Sequence, residues 1–306
     1  MCDGFAKGLP NFCGFFSGKY IDLINFLIIK KNCDNTDGRA NDDIHDNFLL
    51  CYISIMQLRV LTFNIHKGLN ATSNKLILPK IRDLLDHIDA DIVFLQEVQG
   101  EHSKRRDKFS DWPKIPQAEY LAGDKWPYYF YGENHAHDHG HHGNALLSKY
   151  PLNRSMNLDI SSHRLSNRGL LYTQLLHPGI DIPIHLICTH FGLFKKERGK
   201  QFELLNKFID DEITKNEPLL MAGDFNDWQS ASFELLNKTL ELSEVFDITH
   251  GSYAKSFPAR FPLLKVDRIY FRHLIAQHCE IIKTRKMSDH SPLLAEFMLR
   301  DSPNNG

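Results

Sequence analysis

From residue 57 onward, apolar and polar positions follow two distinct periods. Gln57-Leu58-Arg59-Val60-Leu61 predicts a first strand, directly after Met56. Ile77, Ile81, Leu84, Leu85 and Ile88 recur at helical spacing, with Pro79 tolerable only in the first turn. A short buried strand is expected over Asp91–Leu95, and further strands over Tyr128–Tyr131 and Asn144–Ser148. Leu170–Leu176 and Ile184–Thr189 read as two strands around a Pro-Gly turn. Phe202, Leu205 and Ile209 mark one face of a helix from about Glu197 to Lys215. Strands over Pro218–Ala222, Val266–Phe271 and Pro292–Leu299 complete the pattern. Strands outnumber helices and many connections are short, which points to a mixed α/β fold with two packed sheets and helices outside.

Residues 1–55 break this pattern. They contain no Glu, show no helical or strand period, and carry five Lys/Arg against seven Asp/Glu; the remainder carries 31 of each. The segment does not open like a secretory signal, since Lys7 is the only basic side chain before Lys19 and no clean apolar core follows. It reads either as a poorly ordered extension or as sequence ahead of a translation start at Met56, leaving 56–306 as the folded domain. Four of the six cysteines fall here, without the close pairing of a metal site. Cys188 and Cys279 read as buried free thiols, and the domain as disulfide-free and cytoplasmic. No stretch is long and apolar enough to span a bilayer. A net charge of -2 gives no broad attraction to nucleic acid, though it leaves room for a local basic face.

Four segments join an apolar run to oxygen or nitrogen groups. Leu61-Thr62-Phe63-Asn64-Ile65-His66, Phe94-Leu95-Gln96-Glu97 and Met221-Ala222-Gly223-Asp224-Phe225-Asn226 end such runs; Ser288-Asp289-His290-Ser291 precedes one. Buried strands that deliver these groups to a sheet edge would assemble a site for a hard cation. Glu97 is the foremost metal candidate, because Mg²⁺ keeps most of its waters and needs only one or two protein oxygens. Asn64 could ligate the cation, bind a phosphoryl oxygen, or close an Asx-turn. Lys67 contacts an anion or is simply solvated. Asp224 and Asn226 are expected on one side of an extended stretch, with Gly223 permitting a tight exit. Asp267, inside an apolar strand, needs a partner, either His290 or Arg268.

These motifs, in this order, resemble the endonuclease/exonuclease/phosphatase family, as do Thr189-His190-Phe191-Gly192 and Val266-Asp267-Arg268-Ile269-Tyr270. That superfamily includes deoxyribonuclease I-like nucleases, abasic-site endonucleases, inositol polyphosphate phosphatases and neutral sphingomyelinases. The resemblance covers about residues 57–299 and implies a four-layer αββα sandwich with two packed mixed β-sheets. It also implies Mg²⁺-dependent cleavage of phosphoester bonds, with Mn²⁺ as a substitute. On the matched positions, Glu97, Asn64 and Asp289 would gather at the metal. Asp224 and Asn226 would position the attacking water, His290, oriented by Asp267, would stabilise transition-state charge, and His190 would bind a phosphoryl oxygen.

Fold and core site do not choose a substrate. Five of the 17 histidines lie in Glu133–Asn144, read as a loop that is solvated, metal-binding or substrate-facing. His141, His142 and Asn144 are candidates for substrate contact at the rim. Arg168 is a candidate phosphate contact or a turn-capping arginine. Gly143-Asn144-Ala145-Leu146-Leu147 and Asn167-Arg168-Gly169-Leu170 are also similar to motifs of small bacterial hydrolases of this family. Lys104-Arg105-Arg106, with Phe109 and Trp112 nearby, is a weak nucleic-acid signal. Nucleic acid leads as substrate, ahead of a phospholipid or small phosphate ester, with a non-catalytic binding module as the reading from another class. No apolar insertion loop is evident, and nothing bears on oligomeric state.

Overall fold

The computed structural model describes residues 57–162, 168–228, 236, 238–284 and 287–299. The readings made for residues 1–56 lie outside them, as do Ser166 and Asn167.

Two parallel strand pairs with helical crossovers form the frame. β1 (Gln57–Asn64) runs through α1 (Leu78–Ile88) to β2 (Ile92–His102), and the two strands pair in parallel. β7 (Ile184–His190) runs through α4 (Lys195–Glu212) to β8 (Leu219–Asp224), again in parallel. A parallel pair needs such a crossover, and the helix then covers one face of its sheet. β7 and β8 are buried at every position, which explains their unbroken apolar runs.

Antiparallel strands extend each pair. β3 (Tyr128–His137), β4 (Gly140–Ser148), β11 (Leu274–Ile281) and β12 (Leu293–Leu299) join β1 and β2 in the order β11-β12-β1-β2-β4-β3. β5 (Leu152–Asp159), β6 (Gly169–Leu175), β9 (Ser243–Glu244) and β10 (Asp267–Arg272) give the second sheet the order β5-β6-β7-β8-β10-β9. Leu58, Val60, Phe94, Leu186, Cys188, Leu220 and Phe297 belong to the core between the sheets. On the outer face of the first sheet, α1 and α3 (Gln117–Ala122) pack Ile81, Leu85 and Leu121 onto Phe63, Val93 and Leu147. On the outer face of the second, α4 packs Phe202, Leu205 and Ile209 onto Ile187, Met221 and Tyr270. The four-layer αββα sandwich is therefore as expected, and Cys188 and Cys279 are buried free thiols.

Several local readings change. The histidine-rich segment is a hairpin rather than a loop, because β3 and β4 run on to His137 and from Gly140. His141 is wedged into it, with its ring nitrogen 3.0 Å from the Tyr131 hydroxyl and 3.4 Å from Glu133. β5 and β11 were not foreseen. Both lie at sheet edges, where one side faces water and no apolar run develops. Three short helices, α2 (Ser103–Lys108), α3 and α5 (Val245–His250), were also missed.

Candidate active site

Every candidate catalytic side chain leaves the sandwich at one edge. Asn64, Glu97, His190 and Asp224 sit at or beside the C-terminal ends of the two parallel pairs. Asp267 opens β10 opposite Asp224, and Asp289 and His290 precede β12. Crossover connections put the C-terminal ends of parallel neighbours together, and that places four of these six segments without further specification.

Glu97 owes its position to a bulge. β2 carries one extra residue against β4 between Leu95 and Val98, and Glu97 takes φ 55° there. His66, Lys67 and Asn226 also have left-handed φ values of 46°, 61° and 50°. Such a conformation costs a non-glycine residue about 1–2 kcal/mol, so four of them at one edge mark a site held in shape by its surroundings. The extended alternation expected beyond Asp224 stops at Asn226. Its N–H turns back onto Asp224 Oδ1 at 3.0 Å, and its amide nitrogen donates to the Phe191 carbonyl at 3.0 Å. Gly223 serves differently from the expected tight exit. It lies within β8, where an added Cβ would come 1.9 Å from the Thr189 carbonyl oxygen, so glycine allows the close approach of β7.

The inner half of the site centres on one carboxylate oxygen. Asp224 Oδ2 lies 3.2 Å from Asn64 Nδ2, 3.5 Å from His190 Nε2 and 3.7 Å from His290 Nε2. His290 Nδ1 bonds Asp267 Oδ2 at 2.8 Å, and that oxygen also accepts from Ser256. Asp267 thus pairs with His290; Arg268 turns away to the carbonyls of Lys265 and Asp227. Burial pushes the Asp224 carboxyl up, to about 7, with Asp267 adding repulsion and His290 working the other way. Burial opposes charge on His290, but Asp267 and Asp224 outweigh it and push the ring up to about 10. His190 is held neutral by burial and by the nearby Arg168 charge, well below the ordinary imidazole range. The donor atoms of Asp224, Asp267 and His290 lie within 4.8 Å of one another, a spacing that suits a metal. The Asp267–His290 hydrogen bond already occupies two of them.

The outer half is built differently. Asp289 Oδ1 lies 3.3 Å and Glu97 Oε2 4.0 Å from the same ring nitrogen of His66, and Lys67 Nζ touches Glu97 Oε2 at 2.6 Å. Two carboxylates thus converge on positive charge supplied by the chain itself. Burial opposes ionisation of Glu97, yet Lys67, through its charge and its hydrogen bond, with His66 beside it, holds it well below the usual carboxylate range. Asp289 is likewise held low against burial by His66 and His290. This donor set of hard oxygens with an imidazole beside them fits a divalent cation, which would replace the Lys67 ammonium at Glu97. Asn64 is engaged on both sides of its amide, through Asp224 and the His66 N–H at 3.1 Å. Lys67 is an anion contact and not a solvated lysine. His66 was given no site role from sequence; its place two residues after Asn64 was the available signal.

At the rim, Arg168 is near enough for its charge to reach His190. Asn144 is 1% exposed and donates to the Gly169 carbonyl at 3.1 Å, a bond that joins the two sheets beside Arg168. His142 lies on β4, paired with Gln99 two residues past Glu97. Arg105 turns inward to Gln99 at 2.6 Å, and Phe109 and Trp112 stack on each other, while Lys104, Arg106 and Lys108 are exposed. The absence of apolar loops expected from sequence is overturned. Leu193, Phe194, Phe261 and Leu263 are 55, 71, 67 and 69% exposed on two loops at this edge.

Comparison with known proteins agrees with this fold. The family model of the Endonuclease/Exonuclease/phosphatase family matches residues 61–290. The uncharacterized protein YbhP of Escherichia coli K12 is 40% identical over 244 residues, covering 79% of this chain and 96% of YbhP. A solved endonuclease/exonuclease/phosphatase from Beutenbergia cavernae superposes with a TM-score of 0.63 at 17% identity, over 80% of this chain and 72% of that one. TDP2 of D. rerio, solved with a single-strand DNA product, superposes with a TM-score of 0.59 at 20% identity, over 79% of this chain and 98% of that one. The family match spans both halves of the site, from the strand that carries Asn64 to His290, and on it this chain belongs to the endonuclease/exonuclease/phosphatase family.

Proposed function

We propose that this protein hydrolyses phosphodiester bonds with Mg²⁺ at the Glu97–Asp289 end of the site. The observation that carries the reading is Asp224 Oδ2, a buried carboxylate oxygen ringed within 3.7 Å by Asn64, His190 and His290. Asp224 in its ionised form orients a water and accepts its proton. The N–H of Asn226 and the amide of Asn64 hold that carboxylate in place. His290 carries positive charge, and Asp267 fixes which of its nitrogens faces outward. Its Nε2–H can then stabilise the charge that develops on the phosphoryl oxygens. Neutral His190 and the Arg168 cation complete the phosphoryl contacts, with His142 and Asn144 toward the rim. Glu97 and Asp289, assisted by Asn64 and His66, would hold the cation, which when bound would neutralise phosphoryl charge; Mn²⁺ would suit the same oxygens.

Nucleic acid is the first substrate to test, and the single-strand DNA product named for TDP2 belongs to that protein. A second reading, a phospholipid, is favoured by the exposed apolar loops. A non-catalytic module would have lost at least one of these groups, and all are present. The test is a panel with purified protein and Mg²⁺: a generic aryl phosphodiester, plasmid DNA, abasic-site duplex, RNA, sphingomyelin and inositol phosphates. Turnover should vanish on chelation and return with Mg²⁺. No turnover of any member would overturn the proposal.

A further inference from the structure

We propose that two apolar loops at the active edge dock this protein onto the surface of an anionic phospholipid bilayer, with the catalytic groups facing the headgroups. The first loop leaves His190 at the end of β7 and carries Leu193 and Phe194, immediately followed by Lys195 and Lys196. The second leaves Ser256, the partner of Asp267, and carries Phe261, Pro262 and Leu263. Among the described residues, Phe194, Leu263 and Phe261 are the three most exposed large apolar side chains. All three stand on these two loops, within a few residues of catalytic contacts.

The second loop is held in shape by its own backbone. Phe261 N donates to Pro258 O at 3.0 Å, and Leu263 N and Leu264 N donate to Phe257 O at 2.9 and 2.8 Å. Its base is tied to the site, because Ala259 N donates to Asp289 O at 2.7 Å and the Phe257 ring lies 4.8 Å from His290. Apolar side chains on a firm loop beside a catalytic centre gain most by leaving water against another surface.

Charge decides which surface. Two hollows flank the second loop, of about 410 and 320 Å³, and share Arg260. Lys75 and Lys80 line the first, and Lys255 and Lys283 the second; Asp289 is the only carboxylate lining either. None of the five cations takes part in an ion pair among the described residues. In a region 56–306 with 31 charges of each sign, this local excess is a positive collar around apolar tips. Each cation near an anionic leaflet strengthens binding by about fivefold. A polynucleotide would also use the collar and could stack on Phe194 and Phe261. It has no use for Leu193, Pro262 or Leu263, which lack a π-face, whereas a bilayer accepts aliphatic and aromatic tips alike. No helix among the described residues is long and apolar enough to cross a membrane.

The experiment is co-sedimentation of the full chain with vesicles of phosphatidylcholine alone or mixed with phosphatidylserine. Binding to the mixed vesicles is expected, reduced by salt. Leu193→Ser/Phe194→Ser/Phe261→Ser/Leu263→Ser should bind at least about tenfold more weakly. Lys255→Gln/Arg260→Gln/Lys283→Gln should lose about a hundredfold on mixed vesicles only. Circular dichroism confirms that the variants fold. No sedimentation of the wild type, or undiminished binding of the serine variant, would overturn the proposal. Displacement by a single-stranded oligonucleotide with the serine variant unimpaired would assign the face to nucleic acid instead. A phospholipid substrate rests on the hydrolase reading, but vesicle binding does not. An aryl phosphodiester that is never turned over would sink the former and leave the latter standing.

Discussion

Glu97 and Asp289 lie at the mouth of the site, 18 and 25% exposed, with Lys67 and His66 holding them ionised. Asp224 and Asp267 lie beneath at 2% exposure, around a histidine that they keep charged. On the proposed function, the outer pair would exchange its side-chain counterions for the cation. The inner group carries little net charge, since burial raises Asp224 and the His290 cation offsets Asp267. On that proposal, the two carboxylate pairs on one edge would divide the work: one would attract a cation, the other would manage protons and developing charge. Substitutions in the inner half should lower turnover, and those in the outer half should change metal demand.

The largest effect is expected for Asp224→Asn. It keeps the hydrogen-bond frame but cannot take a proton, and kcat should fall about 10⁴-fold with KM little changed. A kcat within tenfold of wild type would remove Asp224 from the chemistry.

His290→Ala should cost about 10³-fold in kcat and also leave Asp267 buried without its cation. Circular dichroism and a melting curve separate the two losses. Unaltered turnover with a lowered melting temperature would make His290 purely structural.

Glu97→Gln removes the anionic oxygen from the outer half, and turnover at a fixed Mg²⁺ concentration should fall about 10²-fold. The sharper readout is the titration: half-saturating Mg²⁺ should rise for Glu97→Gln and stay near wild type for Asp224→Asn. The opposite pattern would reverse the division proposed for the two halves.

The smallest effect lies outside both halves and serves as a control. His177 is buried, and burial lowers its pKa to about 4. A histidine kept neutral in the fold contributes stability that is complete above its unfolded pKa, near 6.5, and is lost as pH falls toward 4. The loss should reach about 2 kcal/mol by pH 5. His177→Asn keeps an acceptor for the Gly179 N–H and should flatten this dependence in urea titrations, leaving kcat unchanged. An equally steep loss in the variant would place the acid sensitivity elsewhere.

Much of this was legible along the chain. The runs through Leu219–Ala222 and Ile184–Thr189 are apolar because both faces of those strands are covered, so their existence and the polar groups that end them could be read directly. The αββα arrangement and the site roles came from the resemblance, carried by motif order. The edge strands β5 and β11 escaped, since a strand with one solvated side has no continuous apolar run. The histidine-rich hairpin escaped for a related reason: its strands are polar and paired through backbone groups that every residue carries.

The sequence by itself determined which groups are delivered, because residue type and burial period are local properties. Asn64, Glu97, Asp224, Asp289 and His290 could be named from their positions after or before apolar runs, Asp267 from its place inside one, and His190 from the family resemblance. Only the tertiary structure decided how those groups are spent. Asp267 chose His290 over Arg268, Lys67 closed on Glu97, and Asn226 turned back onto Asp224 instead of continuing an extended stretch. Each choice depends on distances between residues far apart in the chain, and on left-handed backbone at Glu97 that its own propensity opposes. The apolar tips at Phe194 and Phe261 belong to the same class. A phenylalanine in sequence reads as core, and only the packed fold shows that these two were left outside it.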